Sequence, residues 1–364
     1  MILHRYVARR FLAFFLGILG AFWLLMSLLD ATGLATGMLA GRAGFATALA
    51  MGLMRQMREA YNALPVVALL AAAGLFLRLS ATSELVVMRA AGRSGLTIML
   101  APLVVALGLG AAAVGVGNPL VAAAALQFDA LAARYEERER RIFQIGPGGV
   151  WLRESFDAGR TIIHARSADA AGTTLFNVSI MTFDGEGRPQ RRIEARAARL
   201  GDHEWRLSDG RVWVLRGGEA PANAVGFARL GLPSSLTRAE IRQGYLPPWQ
   251  LPLWRLPEHI RRLEAAGFAS EAPRSWLHAQ LALPVLLMAM VMLGAGLSMR
   301  PTRFGGVATR LMAAILAGLL VFLLRNFTLV AGQNATLPPL LAAWIPPLAT
   351  ALAALGLLLH LEEG

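Results

Sequence analysis

The chain has 364 residues, of which 56% are hydrophobic and 16% charged. An ordinary soluble domain carries about 25% charged residues, so much of this chain must avoid water. All 35 basic residues are Arg, the formal charge is +12, and there is no cysteine, which excludes a P-loop ATPase (its loop needs a lysine), a disulfide framework and any thiolate metal or redox site.

The charges are clustered. Long apolar runs flank a mixed stretch from about Leu120 to Arg274, the pattern of membrane segments around one soluble insertion. The first run, Phe11 to Leu29, follows Arg5, Arg9 and Arg10. It is longer than the apolar core of a signal peptide, which is about 7–15 residues, so a retained helix with its N-terminus in the cytoplasm is expected. The second span is placed at Asn62 to Leu79 and the third at Leu96 to Val116, with Gly117–Pro119 ending the apolar pattern. Three further spans follow at Leu277 to Met299, Val307 to Phe327 and Leu337 to Leu359. Arg78, Arg89 and Arg93 in one short loop, and Arg300, Arg303 and Arg310 in another, put both loops and both termini inside by the positive-inside rule. The middle domain then lies outside the membrane.

That domain opens with a helical stretch, Gln127 to Arg141. After Gly146–Gly149 the period changes to two: Ile193, Ala195 and Ala197 alternate with Glu194 and Arg196, Trp205 and Leu207 with Arg206, and Val178 and Ile180 flank Ser179. Turn sequences at Asp184–Gly187 and Asp209-Gly210 separate the runs, so a sandwich, roll or open barrel is expected. From Leu253 to Gly267 the period returns to that of a helix, with Leu256, Ile260 and Leu263 on one face.

The scattered arginines form no contiguous basic face with aromatic platforms, so nucleic acid is not an expected partner. His4, His164, His203, His259, His278 and His360 make no metal-ligand spacing, and no Gly-x-Ser-x-Gly elbow occurs. The informative segment is Ser83-Glu84-Leu85-Val86-Val87-Met88-Arg89-Ala90-Ala91-Gly92, in the Arg-rich loop after the second span. Ser83 suits a helix cap, Glu84 the first turn, and Gly92 the stop, with Leu85 and Met88 on one face. Such a helix either lies on lipid headgroups or docks in a groove on a cytoplasmic partner.

Ser83 to Gly92 resembles the signature of the lipopolysaccharide export permease family, LptF and LptG, and its Leu-Val-Val form is more similar to LptG. The layout agrees over the whole chain, as do Gly149-Val150-Trp151-Leu152, the helix before the fourth span and the Met299–Phe304 loop. The resemblance implies a polytopic α-helical membrane protein with six transmembrane helices and an inserted periplasmic β-jellyroll-like domain. Residues 1–119 would hold helices 1–3 with a coupling helix at 83–92, residues 120–275 the β-domain, and 276–364 helices 4–6. It further implies an inner-membrane permease paired with an LptF-like permease, an LptB-like ATPase dimer and an LptC-like periplasmic protein. The chain itself would carry no cofactor, since ATP and Mg belong to the ATPase.

In that picture Ser83, Glu84, Leu85, Val86, Val87, Met88, Arg89 and Gly92 couple the permease to the ATPase, with Glu84 meeting a basic residue there and Leu85 and Met88 filling an apolar socket. An anionic, many-chained lipid needs cations at headgroup depth, for which Arg42, Arg55, Arg58, Arg134 and Arg325 are candidates; snorkelling or loop solvation is the alternative for each. The family often has lysines just after the first span, and Asp30–Leu34 has none. The rival readings are the LptF role and a non-transporting envelope scaffold.

Overall fold

The computed structural model describes residues 2–37, 39, 43–135, 142–146, 149–156, 159–169, 173–201, 204–215, 224–234, 247–265, 268–299 and 306–363. Two compact units result, Met1–Glu136 with Glu271–Gly364, and Glu137–Ser270.

The first unit contains six helices long and apolar enough to cross a membrane. They are α1 (Ile2–Thr36), α2 (Phe45–Ala81), the third span built from α4 (Gly95–Ala112) and α5 (Asn118–Tyr135), then α7 (Glu271–Ser298), α8 (Val307–Gln333) and α9 (Pro339–Glu363). The short α3 (Glu84–Ala90) lies between α2 and α4. Helix α2 is central: Ala68, Leu69, Ala72, Leu75 and Phe76 are fully enclosed, packed with Leu286, Leu287 and Met290 of α7. Gly294 of α7 lies so close to α2 that a Cβ would meet the Leu69 carbonyl oxygen at 2.4 Å. With no hydrophobic drive between helices in lipid, such close backbone packing is what holds spans together. By contrast Leu24, Leu25 and Leu29 of α1, and Leu320, Leu323 and Phe327 of α8, are exposed, as residues facing lipid or a second subunit must be.

Gly117–Pro119 does not end the third span. The helix passes through a π-helical turn at Ala113–Gly117, where the Asn118 N–H bonds the Ala113 carbonyl, and runs on to Tyr135. A wider turn accommodates a proline that cannot donate to the ladder. Residues 120–135, expected in the middle domain, therefore belong to the helical unit. Phe128, Leu131 and Tyr135 pack on Leu34, Leu39 and Met51 at the ends of α1 and α2.

The second unit is one seven-stranded antiparallel sheet in sequence order: β1 (Ile142–Gly146), β2 (Gly149–Phe156), β3 (Gly159–Ala168), β4 (Thr174–Asp184), β5 (Pro189–Leu200), β6 (Glu204–Val214) and β7 (Val225–Pro233). The expected sandwich, roll or barrel thus narrows to a meander with no crossover among the described strands. One face is apolar, with Val150, Ile163, Ile180, Ile193, Trp205 and Leu207 buried. Helix α6 (Leu256–Ala265) has Leu256, Ile260 and Leu263 buried as its period requires, and Leu263 and Phe268 join the sheet cluster. Ile193 and Trp205 are covered by the unit's own side chains.

Alternation fails along one line. In β5 the buried residues are Ile193 and Ala195, then Ala198 and Leu200, so Ala198 and not Ala197 turns inward. The same phase change falls between Ala165 and Ala168 in β3, and between Leu175 and Val178 in β4. Strand pairing skips Arg166, Asn177, Arg196 and Asp209 and resumes in register on either side. Asn177 and Asp209 adopt left-handed φ of 52° and 49°. Asp209-Gly210 is consequently a crease within β6, not a turn between strands. The Asp184 turn forms as expected, its Oδ1 accepting the Glu186 and Arg188 N–H groups at 3.0 and 2.8 Å.

Candidate functional site

Helix α3 is built differently from the sequence expectation at its start. Ser83 has φ 59° and its side chain makes no capping bond; its carbonyl oxygen instead accepts the Val86 and Val87 N–H groups. At the other end Gly92, with φ 78°, closes a Schellman motif: its N–H bonds the Arg89 carbonyl and the Arg93 N–H bonds that of Met88.

The Glu84 carboxylate is engaged within the chain. Tyr6 Oη donates to Oε2 at 2.7 Å, Arg10 Nη1 to Oε1 and Oε2 at 3.1 and 3.2 Å, and Thr82 Oγ1 to Oε1 at 3.0 Å. The Arg10 guanidinium also sits 4.3 Å from the centroid of the Tyr6 ring. Burial opposes ionisation of Glu84, but the donors from Tyr6, Thr82 and Arg10 outweigh it, and its pKa falls below the ordinary 4.5. Nothing in the local sequence singles out Tyr6 or Thr82 as partners of Glu84. Arg10 reads in sequence only as an orientation charge, and pairing over more than seventy residues leaves no local pattern.

The apolar residues of α3 divide. Leu85 is 3% exposed, enclosed in the helical core, and Met88 is partly buried against that core. Val86 and Val87, at 50% and 68% exposure, are the apolar residues α3 presents, beside exposed Arg89. Two further arginines, Arg78 and Arg93, lie near this end of the unit in sequence.

The candidate substrate arginines do not form one cluster. Arg42 lies outside the described residues. Arg55 pairs with Asp30 at 3.3 Å and lies over the Phe128 ring, joining α1, α2 and α5. Arg58 is beside Glu59 at 3.8 Å. Arg134 is exposed and has no ion pair among the described residues. Arg325 is elsewhere, buried in α8 within electrostatic reach of Tyr61, whose hydroxyl donates to Gln280 Oε1 of α7. The Tyr61–Gln280 hydrogen bond ties α2 to α7 where lipid supplies no hydrogen bonds. An apolar cleft of about 420 Å³ opens beside it, lined by Phe15, Leu19, Trp23, Tyr61, Leu109 and Val121 of the first three spans. Among the described residues no group of His, Asp and Glu is arranged to hold a metal ion.

The profile of the lipopolysaccharide export system permeases LptF/LptG matches residues 5–360, nearly the whole chain. The chain belongs to this family. No curated protein matches it in sequence. Membership and the six apolar helices together make it an inner-membrane permease subunit of lipopolysaccharide export. The LptF/LptG match spans both units, so the inserted sheet is part of the family's architecture.

Proposed function

We propose that this LptF/LptG permease takes the LptG role: with an LptF-like partner it extracts lipopolysaccharide from the membrane and delivers it to an LptC-like periplasmic protein. Its energy comes from ATP hydrolysed, with Mg, on a separate LptB-like ATPase dimer. The Leu-Val-Val form of the α3 segment favours LptG over LptF. Both termini and α3 are cytoplasmic in this reading, because Arg5, Arg9, Arg10, Arg78, Arg89 and Arg93 concentrate at that end, and the sheet unit is periplasmic.

One observation carries the mechanism: Glu84 is clamped to Tyr6 and Arg10, so α3 and the start of α1 move as a piece. An ATPase that grips Val86, Val87 and Arg89 therefore displaces α1 and not merely a loop. Leu85, Met88, Ser83 and Gly92 act within the chain, holding α3's position and shape. Substrate phosphates are met by cations at headgroup depth, for which Arg134, exposed on α5, and Arg42, outside the described residues, are the strongest candidates. Arg55 and Arg58 first have to leave their carboxylates, and Arg325 serves from within the span.

Affinity purification of the tagged chain from native membranes tests the proposal. Recovery of a second six-span permease and a soluble Walker-type ATPase is expected, with Glu84→Arg losing the ATPase alone. Recovery of envelope proteins without any ATPase would favour a membrane-anchored scaffold instead.

A further inference from the structure

The polar face of the β unit carries a groove of about 580 Å³ along the crease. Two rows of side chains line it, and Trp151 continues one of them past the groove's edge. Strand register sets Trp151 beside His164, His164 beside Ser179, Ser179 beside Glu194, and Glu194 beside Arg211. Two residues along each strand, on the same face, lie Arg166, Asn177, Arg196 and Asp209, all at positions that the ladder skips. Because their backbones are not drawn into cross-strand pairs, this row widens into a channel instead of closing as a flat face.

Its chemistry is specific. Arg166, Arg196 and Arg211 are exposed and make no hydrogen bond or ion pair among the described residues. Side chains this long ordinarily find a carboxylate when one is near, and Arg192 does so with Glu194 at 2.6 Å. Three uncommitted guanidinium groups thus face one uncommitted carboxylate, Asp209, and leave the groove positive. Guanidinium forks match phosphate and carboxylate. Yet a bare polyanion would be repelled by Asp209 and Glu194. A ligand with both acidic substituents and hydroxyls satisfies all of them, the hydroxyls donating to the carboxylates and to Asn177. At the end of the first row Trp151 is 47% exposed, with its ring 4.3 Å from that of His164. An aromatic face held open beside polar groups stacks well on a ring that is apolar on one side.

We propose that this creased face binds an anionic saccharide, with Trp151 stacked on a sugar ring and Arg166, Arg196 and Arg211 holding its phosphate or carboxylate groups. The site lies on the face opposite the apolar one that Trp205, Ile193 and α6 occupy. The inference deepens the export reading and rests on it for the nature of the glycan: the permease would hold the sugar portion of its substrate on an outer polar track, apart from the acyl chains. A free envelope glycan has the same chemistry, and the test separates the two.

The test uses the full chain in lipid nanodiscs and isothermal titration with two acyl-free probes, phosphorylated core oligosaccharide released from lipopolysaccharide and soluble peptidoglycan glycan strands. Saturable binding of the core oligosaccharide is expected, weakened about tenfold by each of Arg196→Gln and Arg211→Gln, as loss of one charge-assisted contact requires. Trp151→Ala should weaken it comparably, and Arg160→Gln, exposed on β3 outside the groove, should leave it unchanged. Preference for the peptidoglycan strands, with the same arginine dependence, would keep the saccharide site and assign it to an envelope glycan. Binding of neither probe, binding indifferent to combined Arg166→Gln, Arg196→Gln and Arg211→Gln, or binding of polyglutamate in place of either glycan would overturn the proposal. Export by the assembled complex, measured in parallel, separates this failure from failure of the export reading: an export-competent complex that ignores both glycans rejects the groove alone.

Discussion

The phenol of Tyr6 donates a 2.7 Å hydrogen bond to Glu84, joining the first turns of α1 to a seven-residue helix 78 positions later. An acid that reads in sequence as a contact for another protein is in the fold a brace for its own chain. The brace explains how so short a helix, too short to be stable alone, keeps a fixed position. Glu84→Gln should keep the shape and lose the ionic contact with Arg10, and Tyr6→Phe should remove one of the four donor contacts to the carboxylate. Both variants are expected to insert normally. ATP hydrolysis driven by lipopolysaccharide should fall in each, less for Tyr6→Phe than for Glu84→Arg. Full coupling in Glu84→Arg would exclude the brace from the mechanism.

The brace also has a pH signature. The folded pKa of Glu84 is depressed below 4.5 by donors that favour the carboxylate. Its contribution is therefore fully present above the ordinary value and is lost only as pH falls through the lower, folded value. Because the chain has no cysteine, spin labels on Arg9→Cys and Val87→Cys would be its only labels. Their separation should stay constant from about pH 8 to about pH 5 and spread only below the ordinary carboxylate range. A change near pH 6 to 7 would mean that some other group controls α3.

Much of this was legible in the chain. Six apolar runs bounded by arginines specify spans because hydrocarbon tolerates little else, and Leu256, Ile260 and Leu263 announced the buried face of α6. Failures came where a local rule was overridden. Pro119 read as a stop, but a π turn absorbed it. Ala197 read as inward, but the crease moved burial to Ala198. Asp209-Gly210 read as a turn because that pair serves turns and bulges alike. For α3 the sequence located the helix but not which side of it faces out. Leu85 and Val87 are equally apolar, and only the packing of α3 on the core distinguishes them.

The crease makes Gly210 irreplaceable. A Cβ there would lie 2.2 Å from the Glu194 carbonyl oxygen and 2.4 Å from the Phe227 ring. Backbone on one side and a packed ring on the other leave no room to adjust. Gly210→Ala should destabilise the β unit by about 1–3 kcal/mol, the range for overpacking. Limited proteolysis of the full chain in detergent should show faster cutting between residues 137 and 270 while the helical unit is spared. Unchanged resistance would indicate that the crease can flatten.

Inside the same sheet, Glu154 is 1% exposed and accepts bonds from Trp205 Nε1 at 3.0 Å and Ser234 Oγ at 2.9 Å. A buried carboxylate depends on such donors. Trp205→Phe preserves most of the apolar contact but withdraws the indole N–H, so it should cost about 1.5–3 kcal/mol, the scale of a hydrogen bond to a charged group. Adding Glu154→Gln should recover part of that loss, because an amide needs fewer donors than an anion. Thermal unfolding followed by tryptophan fluorescence at a fixed detergent concentration reports both. Additive costs in the double variant would mean that the two side chains act independently.

The exposed face of α3 offers the sharpest separation of folding from function. Val86 and Val87 are apolar and half or more exposed, whereas Leu85 beside them is enclosed. Val87→Asp places a charge in solvent and disturbs nothing in the chain, so membrane abundance and thermal stability should stay within about 0.5 kcal/mol of the parent, as for surface substitutions generally. If α3 seats in an apolar groove on the ATPase, the same change buries an unpaired charge at the contact and should weaken association by about tenfold or more. Leu85→Asp makes the complementary control: it strikes the core and should lower membrane abundance whether or not an ATPase is present. Quantitative co-purification of the ATPase with each variant, normalised to permease recovered, distinguishes the faces. Loss with Val87→Asp at normal abundance assigns the outward face to the partner. Normal recovery would leave α3 as a structural brace, with energy entering the permease at another point.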